Sequence, residues 1–115
     1  NIRVSLFIEP RISNIQIAKK LNVSAIELHT GKYCNIFKRN KNVKSEFYRI
    51  LRSALYAKKI GLDVHAGHGL TYKTASKISK IKFITEFNIG HFIVSESIFF
   101  GLRKTILKFK KIINK

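Results

Sequence analysis

Acidic side chains are scarce in this chain: six stand against 23 lysines and arginines, a formal charge of +17 over 115 residues. Cysteine is scarcer still. Cys34 stands alone, so no internal disulfide can form, which suits a reducing cytosol. A catalytic thiol would need a base beside it, and none stands near Cys34 in sequence. No apolar run approaches the ~18 residues of a membrane span. The first residues lack the charged, apolar and small-residue succession of a secretory leader. A cytoplasmic protein without a membrane segment is the expectation.

The excess of positive charge invites a polyanion partner. Yet the cations are spread along the whole chain, and there is no zinc-finger spacing, RNA-binding aromatic signature or basic heptad region. Nucleic-acid binding therefore ranks low. Attraction of small phosphorylated substrates is the milder consequence.

Apolar residues make up 45% of the chain, enough for the core of one domain. Arg3 to Glu9 (RVSLFIE) is a nearly continuous apolar run, expected as a strand covered on both faces and stopped by Pro10. A helix follows, with Ile12, Ile15, Ala18 and Leu21 on one side. Ser13 and Asn14 are its candidate caps and Asn22 its left-handed terminator. Val23 to His29 is a second strand, in which alternation puts Glu27 and His29 on one side and Ile26 and Leu28 on the other. Gly31 to Asn42 reads as a polar loop, either a lid over a site or a disordered connection. Lys44 to Ile60 is an amphipathic helix with Phe47, Ile50, Leu51, Ala54 and Leu55 as its stripe and Gly61 at its end. Leu62 to Ala66 is the third strand, followed by a short helix over Thr74 to Ser79. Phe83 to Ile89 is the fourth strand. A long helix from Val94 to about Ile113 then presents Ile98, Leu102, Ile106, Phe109 and Ile113, with Gly101 read as a close-packing site inside it.

The order is strand then helix four times, an α/β pattern with crossovers of the size that parallel pairing needs. Each polar or glycine-rich cluster falls at a strand's carboxyl end: Glu27 to Gly31, His65 to Gly69, and Asn88 to His91. Ligands bind at that end in parallel α/β folds. In AGHGLTY, Gly67 and Gly69 permit unusual dihedrals and close approach, while His68 can exchange a proton near neutral pH. The plain alternative for His68 is a turn histidine, and for Glu27 a buried carboxylate satisfied by a basic neighbour. Backbone N–H groups at Gly69 and at Gly90-His91 could cradle a phosphate. Four units amount to half of a (β/α)8 barrel.

The segments RVSLFIE, AIELHTGKY, AGHGLTY and FNIGHFIV together resemble, in order and spacing, the carboxyl-terminal half of bacterial pyridoxine 5′-phosphate synthase. The resemblance runs from Arg3 to Ile112. It implies that residues 1–115 are the C-terminal half of a single TIM-barrel domain, supplying roughly the last four β/α units of a (β/α)8 barrel. It implies an enzyme that condenses 1-deoxy-D-xylulose 5-phosphate with 3-amino-1-hydroxyacetone 1-phosphate, losing phosphate and water as the pyridine ring closes, with no metal or organic cofactor. By the same resemblance, His68 is the proton donor and Glu27 the transition-state stabiliser. Gly69, Gly90 and His91 are implied to bind the aminoketone phosphate. Three departures stand out: His65 where Asn is usual, Lys73-Thr74 in place of His-Asn, and Pro10 after the first strand. The family's remaining bases and most of its deoxyxylulose phosphate site belong to early strands that these residues do not include. The partner is then the missing N-terminal half-barrel or another copy of the chain, and a homo-oligomer is expected. The competing possibility is a non-catalytic half-barrel remnant or phosphate-binding module, held together by self-association across open sheet edges.

Overall fold

The structure, a computed structural model, describes residues 2–114. Its strands are β1 (Ser5–Ile8), β2 (Ala25–His29), β3 (Asp63–Gly67) and β4 (Glu86–Asn88). Its helices are α1 (Ile12–Lys20), α2 (Gly31–Lys38), α3 (Lys44–Lys59), α4 (Tyr72–Ile78), α5 (His91–Phe100) and α6 (Leu102–Ile113). All strand pairs are parallel, and the sheet order β1-β2-β3-β4 follows the chain. This is the α/β arrangement that the alternation of elements predicts.

Alternation divides the sheet into two unlike faces. Ile26, Leu28, Val64 and Ala66 are fully buried with Ile15 and Ala18 of α1 and Ile50, Ala54 and Ala57 of α3. Leu6, Ile8 and Phe87 pack against the same core. Each Leu or Ile removed from water there contributes roughly 1.5–3 kcal/mol. On the opposite face the strand register lines up Phe7, Glu27, His65 and Glu86 in one row, with His29, Gly67 and Asn88 in the next.

Several boundaries differ from the sequence reading, each for a local reason. β1 is an edge strand rather than one covered on both faces, and Phe7 is 54% exposed. Arg11, not Ser13 or Asn14, occupies the α1 N-cap, with no side-chain cap bond; Leu21 lies outside the buried face. Asn22 is left-handed as expected (φ 55°), and so is Gly61 (φ 79°). Residues 31–38, expected as loop, form α2, because Tyr33 and Cys34 bury one side of a single helical turn and Phe37 extends it. The buried side of α3 carries Ser53, Ala54 and Ala57 rather than Leu55, and small side chains let the helix lie close on β3. α4 begins at Tyr72 because Thr71 and Thr74 form a reciprocal capping box. β4 is only three residues long. The long terminal helix is two helices, broken where Gly101 takes φ 81°. A Cβ at Gly101 would meet nothing within 4 Å, so its backbone conformation, not close packing, is what calls for glycine.

Candidate active-site cleft

The carboxyl ends of the strands open onto a cleft of about 1190 Å³. Glu27, His68, Gly69, Gly90 and His91 all line it, so the three strand-end clusters converge on one space. α2 forms one wall through Cys34, Asn35, Phe37 and Lys38; the segment expected as a lid or a disordered connection is helical over Gly31–Lys38 and partly buried.

His68 itself takes the left-handed conformation, φ 77°, followed by Gly69 at 76°, whereas Gly67 does not. The turn is pinned from β2. Thr30 donates its backbone N–H to the Gly67 carbonyl at 2.8 Å. Its buried hydroxyl lies 2.7 Å from both the Gly67 and His68 carbonyl oxygens and shares one proton between them. Gly67 is bare for another reason, since a Cβ there would fall on Glu27 Oε1 and sit 3.0 Å from the Asn88 carbonyl oxygen. The missing side chain makes room for the carboxylate. Asn88 then holds that carboxylate, its Nδ2 donating to Glu27 Oε2 at 2.7 Å. His65, adjacent in register, has Nδ1 3.5 Å from Glu86 Oε1.

A second polar cluster joins the end of β1, β2 and α3. His29 Nδ1 lies 2.9 Å from Glu9 Oε1, without hydrogen-bond alignment. Arg49 binds Glu9 Oε2 at 3.2 and 3.3 Å and donates from Nε to Glu46 Oε1 at 2.8 Å. Glu46 is buried, and Lys32 Nζ approaches its other oxygen at 3.4 Å. Burial alone would lower the Arg49 pKa, but the Glu46 and Glu9 carboxylates outweigh it and push it above its ordinary value. Burial raises the Cys34 thiol, against hydrogen bonds from Thr74 and Thr30 that lower it. Cys34 is therefore held as the neutral thiol, packed 3.8 Å from the His68 carbonyl oxygen.

Gly90 is the N-cap of α5 and His91 its first residue. Gly90 has φ −106°, open to any residue, and a Cβ there would meet nothing within 4 Å. Space in front of a helix start is what an anion needs, since the first N–H groups have no partner within the helix. Among the described residues no three His, Cys, Asp or Glu side chains converge on a metal position. Nor, among the described residues, is any helix long and apolar enough to cross a membrane.

The five residues singled out in the sequence all line the cleft, whereas the contacts that hold them were not visible there. Thr30, Gly31, Asn88 and the Glu9–Arg49–Glu46 chain act across strands. The signal available for Asn88 was its place in FNIGH, one residue before the chain leaves the sheet. Glu9 and Arg49 lie 40 residues apart and carry no local pattern.

A parallel sheet with helices on its apolar face and polar strand ends gathered on one cleft defines an α/β protein built around a ligand-sized site. All of residues 1–115 match the family model described as pyridoxal phosphate biosynthesis protein PdxJ, and the chain belongs to that family. It is 56% identical over its whole length to pyridoxine 5′-phosphate synthase of Pelagibacter ubique, covering 48% of that protein. It is 49% identical to the synthase of Sulfurihydrogenibium sp. over 97% of the chain and 45% of the relative. The synthase of Ehrlichia ruminantium is 45% identical over 98% of the chain, again 45% of the relative. The chain thus spans about half the length of the curated relatives it matches.

Proposed function

We propose that this chain is the carboxyl-terminal portion of a pyridoxine 5′-phosphate synthase, with residues 1–115 supplying the last four β/α units of one (β/α)8 barrel. The carrying observation is the convergence of Glu27, His68, Gly69, Gly90 and His91 on one cleft at the strands' carboxyl ends. The reaction is the condensation of 1-deoxy-D-xylulose 5-phosphate with 3-amino-1-hydroxyacetone 1-phosphate, closing the pyridine ring with loss of phosphate and water.

Every departing hydroxyl in such a condensation must receive a proton, and His68 donates it from the turn that Thr30 pins. Glu27, held by Asn88, sets negative charge where the amine-derived nitrogen becomes positive. N–H groups at Gly69, Gly90 and His91 take the aminoketone phosphate. A chain carrying +17 favours two phosphorylated substrates. The working compartment is the cytoplasm, in keeping with a single free cysteine, Cys34.

The remaining strands come from a first half-barrel, and the assembled protein is a homo-oligomer. Two open strand edges, the exposed Phe7 and the outward Ile98 and Phe99 of α5 support association. The test is to join the chain behind the first half of the Pelagibacter ubique relative and follow pyridoxine 5′-phosphate formation from the two substrates, with sedimentation to count copies. Turnover in an oligomer supports the reading. A folded assembly that binds inorganic phosphate without turnover would favour the non-catalytic module instead.

A further inference from the structure

The roles proposed above leave His29 unused, although its ring is held on several sides. It stacks on His68 with centroids 4.8 Å apart and planes tilted by 35°. Phe7 meets it edge-on at 5.0 Å. Glu9 contacts its Nδ1, Arg49 grips Glu9, and buried Glu46 anchors Arg49 from within α3. Gly31 keeps the space open: a Cβ there would lie 2.8 Å from His29 Cε1 and 2.9 Å from His68 Cδ2. The φ at Gly31 does not call for glycine, so the bare position serves the two rings rather than the backbone. His68, by contrast, is exposed, and among the described residues no side chain hydrogen-bonds its ring. Something else must aim it.

We propose that His29 is the positioning residue for His68: the His29 ring, seated edge-on against Phe7 beside Glu9, offers a flat face that fixes the His68 imidazole over the cleft. The catalytic consequence rests on reading His68 as the proton donor; the stack itself does not. The Glu9 contact adds no aligned hydrogen bond to the His29 ring, so packing sets its orientation. That orientation passes on through a ring face. The charged groups bearing on His29 are Glu9 from the end of β1, Arg49 and Glu46 from α3, and Lys32 of α2 through Glu46.

Two measurements test this. In the chain with isotope-labelled histidine, NMR should show cross-relaxation between the two imidazoles and an upfield shift of the His68 ring protons. Both should vanish in His29→Leu and Gly31→Ala, and the ring shift should persist in His29→Phe, which keeps a flat face. In the assembly joined to the Pelagibacter ubique half, His29→Leu should lower kcat about 100-fold, the scale of a misplacement of about 1 Å. KM should stay within roughly threefold, and His29→Phe should recover most of the loss. Unchanged His68 ring shifts in both His29→Leu and Gly31→Ala would overturn the proposal. So would equal kcat losses in His29→Leu and His29→Phe, or a loss confined to KM. If the unaltered assembly makes no product, the synthase reading fails while the imidazole contacts still decide the stack.

Discussion

The two faces of this one sheet are built on opposite terms. One face is Leu6, Ile8, Ile26, Leu28, Val64 and Ala66 under α1 and α3, apolar and closed. The other carries Phe7, Glu27, His29, His65, Glu86 and Asn88, mostly polar, and Phe7, Glu27 and Asn88 line the cleft. On the first face any residue of similar size and hydrophobicity serves, because burial is non-directional. On the second, each side chain depends on one neighbour at hydrogen-bond or stacking distance. Stability is concentrated on one side of a layer only one strand thick, and the polar strand ends on the other.

That division can be attacked from either side. The largest effect is expected at His68→Asn in the joined assembly: turnover should fall by about 10²–10⁴-fold, as for loss of a general acid. The urea midpoint should not drop, since Asn tolerates a left-handed backbone. A midpoint that fell along with activity would erase the distinction between the faces. Next, Leu28→Ala on the closed face should cost about 2–5 kcal/mol in urea unfolding of the chain. A cost under about 1 kcal/mol would mean that the face repacks freely. Gly67→Ala tests the seam between them. The added methyl competes with the Glu27 carboxylate, so a smaller cost of roughly 1–3 kcal/mol should accompany a shift of the Asn88 side-chain amide resonances. Resonances left in place would show that Gly67 does not make room for Glu27.

The smallest effect is at Cys34. Its thiol proton is held more tightly folded than unfolded, so its stability contribution is full below the ordinary thiol pKa and is lost as pH rises through the raised folded value. Cys34→Ala should flatten that alkaline decline, measured as urea midpoint against pH. An unchanged slope would assign the decline to other groups, Tyr33 first, whose hydroxyl pKa is also raised by burial and by Cys34.

The closed face was legible in the sequence, because apolar periodicity is what burial selects. Strand order, parallel pairing and the turns at Asn22 and Gly61 follow from it. The cleft was legible to the extent that its residues carry distinctive types at strand ends, as in AGHGLTY and FNIGH. What holds them was not. Asn88 meets Glu27 only through a register that joins β3 to β4, and Arg49 meets Glu9 only once α3 is folded back on the sheet. α2 was hidden by lysine and asparagine around a single buried turn. In the last segment the apolar spacing of Ile98, Leu102 and Ile106 runs straight through Gly101, yet those side chains face outward and the helix breaks there.

The backbone of His68 bears on evolutionary drift. A residue with a Cβ held at φ 77° costs on the order of 1 kcal/mol relative to glycine at the same place. Selection on folding alone would therefore favour His68→Gly, and a library screened only for stability should enrich it. A screen that also demands product should keep the histidine and tolerate the cost. Backbone geometry at this one position thus separates a chain under catalytic selection from one retained only because it folds.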